Sequence, residues 1–389
     1  MSIRKEALDS KAFQALKDIY DNREKVLLEQ KENGKIIVGE LGCDVPDELL
    51  MAAGMFPVHV YADPRKPLEE TDKYLEYAFD PIVRAQFEKI VDGTYGDLID
   101  YLVVSNSTDV IIRIYLYLRE MHRQGIGKNL PPVEFIDWMF TRNRMHQVRN
   151  EDTIKIFWKA VESWAGKAIT EEAVKKAAAV CNENRQALRE MAKLRHGEEV
   201  HINGSEALVI IGAAFFMDRE EHTKLVKEVT KDAAEWPVIN GPRVYFTGSG
   251  QEDTSFYDMI EDTGAVIVSE DHDWGDRYFE RDYNMDYNPV RAIVDRYMLR
   301  EFSSKKAFVS QRVEALNREV ADAKAEAVIF ATNKYEEAAS WDYPSQKKSL
   351  DEKGIPAASF VQLQYPIDKN EGLKEKIADF VGSLKGGDQ

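Results

Sequence analysis

What most constrains this chain is a rhythm. Short apolar runs of strand length alternate with stretches of helix length, and the alternation occurs twice, with a strand-free stretch between. In the first half the runs fall at 35–39, 57–62, 101–105 and 133–137, and in the second at 243–248, 265–269, 327–331 and 357–363. Helical patterns follow at 44–54, 71–91 and 109–123 and, later, after Asp253 and at 289–301, 307–325 and 370–384. Apolar strands joined by helices predict parallel sheets covered on both faces. At 44–54, Asp44 is placed to cap the helix and Pro46 falls in its first turn.

Between the halves only helical segments remain, at 153–166, 170–195 and 219–234, and residues 5–31 form a charged N-terminal helix with Leu8, Phe13, Leu16, Ile19 and Tyr20 on one face. The prediction is an α/β fold of two open, mostly parallel lobes with a helical middle layer, divided at 1–150, 151–236 and 237–389. The tail from Lys385 to Gln389 is expected to fray.

Charge and cysteine content narrow the function. Sixty-nine acids against 52 bases leave a net charge of −17, the wrong sign for nucleic acid or an anionic membrane surface. No apolar run reaches membrane-spanning length, and the N-terminus mixes charges. Two distant cysteines, Cys43 and Cys181, exclude a disulfide framework and point to a reducing cytoplasm.

In open α/β sheets ligands bind outside the carboxyl ends of the strands. Here those loops are 40–45, 105–109, 247–253, 269–276 and 332–341. They carry Cys43, the hydroxyls Ser105 and Thr108, Asp109, the Gly248-Ser249-Gly250 turn, Asp273 and Tyr335. The glycine-rich turn offers backbone N–H groups to a phosphate or thioester oxygen, or is simply a strand-to-helix turn. The acid-rich segment from Glu270 to Arg277 reads as solvated, because a metal site there needs ligands from elsewhere. His59 and His272 match no zinc spacing, and no nucleophile elbow, phosphate-binding P-loop or zinc-protease helix appears.

Four segments together resemble the 2-hydroxyacyl-CoA dehydratase and benzoyl-CoA reductase subunits. The most specific is Val38-Gly-Glu-Leu-Gly-Cys-Asp-Val-Pro-Asp-Glu-Leu-Leu-Met-Ala-Ala-Gly-Met-Phe-Pro-Val58, similar to the family's opening strand and helix. The others are Asp80 to Thr94 followed by Tyr101 to Asp109, then Gly264-Ala-Val-Ile-Val-Ser-Glu-Asp-His-Asp-Trp-Gly-Asp-Arg-Tyr278, then Ala327 to Ala331 running on to Trp341-Asp-Tyr-Pro344 and Gly354-Ile-Pro356. The resemblance implies two flavodoxin- or Rossmann-like lobes, a heteromer of homologous subunits, an inter-lobe [4Fe–4S] cluster, an ATP-hydrolysing iron–sulfur activator that supplies one electron, and an acyl-CoA substrate.

The chain departs from that pattern at the cysteines. Asp80, Thr108, Asp273 and the segment Lys334-Tyr-Glu-Glu337 stand where the family usually places Cys, and Cys43 is the one near a family cysteine position. The expectation is a cluster-less partner subunit that binds no metal or cofactor by itself, with the [4Fe–4S] cluster on a homologous cysteine-bearing subunit. The cleft residues are then Cys43, Asp80, Ser105, Thr108, Asp109, Gly248, Ser249, Asp273 and Tyr335, in positional roles, with Arg84, Arg113 and Lys334 as partners for CoA phosphates. The alternatives are a non-catalytic two-lobed protein that binds an acyl-CoA or small anion, and an independent enzyme using Asp80, Thr108 and Asp273 as acid–base groups.

Overall fold

The computed structural model describes residues 3–298 and 307–385. Each apolar run becomes a strand. In the first half β1 (Ile37–Leu41), β2 (Phe56–His59), β3 (Tyr101–Ser105) and β4 (Val133–Ile136) form a parallel sheet in the order β2-β1-β3-β4. In the second half β5 (Arg243–Gly248), β6 (Val266–Glu270), β7 (Ala327–Asn333) and β8 (Ala357–Leu363) repeat that order as β6-β5-β7-β8, again all parallel. Pro57, which cannot donate to a ladder, sits on an edge strand opposite Val38.

Alternate residues of the central strands serve two cores. Ile37, Leu41, Leu102 and Val104 join Val244, Phe246, Ile267 and Ile329 in one apolar cluster shared by both sheets. Val38 and Val103 face the other way, with Leu49 and Ile136, while Tyr245 and Val328 pack against Leu316, Val320 and Leu350. The helix Gly204–Ala213 runs through the shared core with every residue buried. A Cβ on Gly204 would lie 2.6 Å from the Cβ of Ile267, and one on Gly212 would lie 2.6 Å from the Tyr20 ring.

Several helices differ from expectation. The N-terminal segment is three helices, Lys5–Asp9, Lys11–Asp21 and Arg23–Glu32, because Ser10 interrupts the first and caps the second, its Oγ accepting the Phe13 N–H at 3.4 Å. The helix expected over 44–54 contracts to Asp47–Ala52, and Asp44 is not its cap; the Asp44 N–H donates to Ser105 Oγ at 3.3 Å. The helix expected over 71–91 breaks into Thr71–Tyr74 and Pro81–Val91, since the Asp80 carboxylate accepts the N–H groups of Ile82 and Val83 at 2.8 and 3.2 Å, just ahead of Pro81. A helix spans Ala338–Glu352, with Pro344 inside it, where a long loop was expected to end at 341. The helix expected at 289–301 is seen as Pro289–Met298; its last residues and the tail 386–389 lie outside the described residues.

That helix crosses back. Although it belongs to the connection between β6 and β7, Ile293, Val294 and Tyr297 pack into the outer core of the first sheet with Val38 and Leu49, against Arg144–Ala165.

Candidate functional site

In each sheet the strand order reverses between the first and second strands to leave the centre, β1/β3 and β5/β7, so the loops beyond those strand ends diverge and leave a crevice. The two crevices face one another. Together they form a cavity of about 330 Å³ lined by Cys43 after β1, Thr108 after β3, Gly250 and Glu252 after β5, and Tyr335 and Glu336 after β7. A second cavity of about 140 Å³ adjoins it, sharing Cys43, Thr108, Asp273 and Glu336 and running on to Gly248, Arg277 and Arg312.

Of the residues singled out from sequence, Cys43, Asp80, Thr108, Asp109, Asp273 and Tyr335 line the larger cavity and Gly248 the smaller. Ser105 and Ser249 are buried beneath the lining. Ser105 holds the loop after β1 through the Asp44 N–H, and Ser249 Oγ accepts the Asn333 N–H at 2.8 Å while donating to Glu336 Oε2. Thr108 caps the helix Asp109–Gln124, its Oγ1 accepting the Ile111 N–H at 3.2 Å. Gly248 is required by the backbone: its φ is +125°, and a Cβ there would fall 1.9 Å from the Ala331 carbonyl oxygen. Tyr335 also has a positive φ, +70°, and its ring meets Tyr77 edge-on at 5.7 Å, with the Lys334 ammonium over both rings.

The three cations proposed for CoA separate. Arg113 lines the larger cavity with its guanidinium 4.2 Å from the Phe79 ring centroid. Arg84 is buried, donating to the Glu76 carbonyl at 2.6 Å and paired with Asp72, so it is committed to the fold rather than to a ligand. Lys334 stands on the Tyr77–Tyr335 pair rather than in the cavity wall.

The segment from Glu270 to Asp276 is not a solvated loop. Glu270 and Asp276 pair with Arg195, at 2.5 and 3.1 Å, and Asp273 pairs with Arg277. His272 is buried against the Tyr257 hydroxyl at 2.7 Å, and burial pushes its imidazole down to about 3. The other strand-end histidine, His59, lines the cavity, stacked at 3.9 Å on Phe215 with Nε2 3.3 Å from Glu40.

Sequence reasoning passed over Glu40, His59, Gln86, Glu252, Trp274 and Glu336 as site residues, though all line the cavity. Their electrostatics set them apart. Burial lifts the Glu252 carboxyl to about 8, while Gln86 Nε2 donates to its Oε1 at 2.6 Å. Burial and the neighbouring Asp80 charge lift Glu336 to about 7. Asp80 is raised by burial, despite the helix N–H groups that stabilise its charge. Glu40 is raised by burial and by Asp47, which is held ionised by Arg219 at 2.8 Å. Behind Asp47, Glu48 pairs with Arg185 at 2.5 Å and accepts the Tyr297 hydroxyl at 3.1 Å. The cavity is thus lined by several acids whose burial favours the protonated form.

Its thiol content is low. Cys43 lines the cavity, whereas Cys181 is buried 3.5 Å from the Met51 sulfur with its thiol pushed up to about 12. A four-iron cluster takes about three or four thiolates. Carboxylates and a hydroxyl in place of the others are hard ligands, so the donor set does not fit such a cluster.

Fold and cleft define the class: a two-lobed α/β protein whose main cavity lies between facing crossover points. Within it, the model of the family 2-hydroxyglutaryl-CoA dehydratase, D-component, matches residues 43–384, and the chain belongs to that family. It is 25% identical over 380 residues to the (R)-phenyllactyl-CoA dehydratase beta subunit of Clostridium sporogenes, covering 96% of this chain and 99% of that one. It is 25% identical over 381 residues to the lactoyl-CoA dehydratase subunit beta of Anaerotignum propionicum, covering 95% and 97%. A benzoyl-CoA reductase subunit of Thauera aromatica is 21% identical over 364 residues, covering 88% and 89%.

Proposed function

We propose that the chain is a subunit of a heteromeric complex acting on a CoA thioester, as a dehydratase or a benzoyl-CoA reductase, and that it carries no iron–sulfur cluster of its own. The observation behind this is a pairing: end-to-end similarity to subunits of such enzymes, and one thiol in the cleft where a cluster needs several. A homologous cysteine-bearing subunit holds the [4Fe–4S] cluster, and an ATP-hydrolysing activator feeds it low-potential electrons. This chain supplies cleft wall, orientation and exclusion of water. The assembly works in the cytoplasm, and among the described residues no helix is long and apolar enough to cross a membrane.

Anaerobic co-purification with the products of neighbouring genes, then iron and sulfide analysis of the separated subunits, tests the proposal. The expected result is a cysteine-bearing homologue in the complex with all the iron on it. A stoichiometric four-iron cluster on this chain alone would overturn it. The second reading, a stand-alone acyl-CoA binding protein, is favoured by one feature, a cleft that stays open and lined rather than collapsed. It predicts that the chain purifies without any such homologue.

A further inference from the structure

The cleft has a sign and a chemistry that the thiol count leaves unexplained. Carboxyl side chains reach its main cavity from both lobes: Glu40, Asp80 and Asp109 from the first, Glu252, Asp273, Glu336 and Glu337 from the second. Against them stand His59, beside Glu40, Arg113, lying on Phe79, and Arg277, which pairs with Asp273. The wall also has an apolar part, Ile82, Val83, Val110, Ile111 and Trp274, and an uncharged polar part, Gln86, Ser107, Thr108 and Asn333. Two of the acids have an unused oxygen. Glu252 is 9% exposed, with Oε1 taken by Gln86 and Oε2 without a partner; Glu40 is 3% exposed, with Oε1 without one.

We propose that this cavity binds an uncharged acyl group, its carbonyl oxygen accepting a hydrogen bond from the Glu252 carboxylic acid, and rejects acyl groups that end in a carboxylate. The proposal rests on the reading of the chain as a thioester-handling protein and adds the acyl class. A neutral carboxylic acid in an apolar site donates an O–H to a carbonyl, while a second carboxylate brought into the same site meets repulsion and desolvation together. The surroundings of Glu252 keep it in that form. The Arg23 guanidinium and the Tyr20 hydroxyl donate to its backbone carbonyl, at 3.0 and 2.8 Å, rather than to its side chain. Burial favours its neutral form and outweighs Arg23 and the Ala62 N–H, which favour the charged one, while Asp253 in its own loop and Asp80 across the cleft add to the rise. Gln86, from Pro81–Val91, offers an uncharged amide.

Calorimetry of the full chain with butyryl-CoA and succinyl-CoA tests this, because the acyl chains match in length and differ by a methyl against a carboxylate. At pH 7 butyryl-CoA is expected to bind at least about tenfold tighter than succinyl-CoA, and tighter than free CoA. Its affinity should fall as pH rises past about 8, where Glu252 loses its proton. Glu252→Gln, which keeps a donor but cannot titrate, should retain binding and lose that pH dependence; Glu252→Leu should lose the preference over free CoA. Equal or tighter binding of succinyl-CoA, equal binding of free CoA, or no thioester binding would each overturn the proposal. The subunit reading is judged separately, by co-purification and the location of the iron.

Discussion

At position 248 the backbone leaves no room for a side chain, so Gly248→Ala should destabilise the protein by about 3 kcal/mol or more through left-handed strain and collision with the Ala331 carbonyl. Urea unfolding of the variant measures this, and a loss under about 1 kcal/mol would show that the β5 turn relaxes. The buried ion pairs behind the cleft give a second test. Arg185→Ala leaves Glu48 buried without its main partner and should cost about 3–5 kcal/mol, whereas the double variant Arg185→Ala/Glu48→Ala should recover part of that loss. Cys43, Thr108 and Asp273 were legible as cleft residues because they follow recognisable strand ends, and Asp80 because it stands where the family it resembles usually places Cys. Glu252 and Glu336 were not, because nothing local distinguishes a proton-holding acid from the other acids of a chain with 69; only burial by both lobes does so.

Among the elements, parallel strands buried on both faces are the most legible, because they need unbroken apolar runs, and all eight runs form strands. Helices lose legibility at the extremes. Gly204–Ala213, buried on every side, lacks the polar face that marks an amphipathic helix, and Ala338–Glu352 carries Pro344 inside and exposed Trp341 in its first turn. The central helix is held at its start by a capping box, with Asn203 accepting the Glu206 N–H at 2.9 Å, and by Arg4 reaching Glu206 at 2.9 Å. Gly204→Ala improves intrinsic helix propensity, yet the added methyl meets Ile267 and Tyr257 at 2.6 and 3.0 Å. Overpacking should win, lowering stability by about 1–3 kcal/mol, read as a lower Tm.

Over the whole molecule, buried acids and histidines set opposing pH slopes. Glu252 at about 8 and Glu261, Glu270 and Glu336 at about 7 bind protons more tightly folded than unfolded. Their contribution is therefore complete below the unfolded carboxyl range and is lost as pH rises from about 5 to about 8, by up to about 1.4 kcal/mol per pH unit for each group still titrating. His222 and His272, both held near 3, act the other way, their contribution being lost as pH falls below about 6.5. Stability should peak on the acidic side of neutrality, near about pH 5, and decline toward pH 8. Thermal unfolding across pH 4–9 checks this, and a maximum at or above pH 8 would contradict it.

The helix Pro289–Met298 lies within the connection between β6 and β7 yet completes the outer core of the first sheet. During synthesis, a ribosome that has finished β4 has therefore not yet delivered the surface on which Val38 and Leu49 come to rest. The first lobe waits for the chain to pass β5 and β6 of the second. A transplanted C-terminal half would likewise have to bring a helix matched to its new host's first sheet, so the two halves are bound to change together.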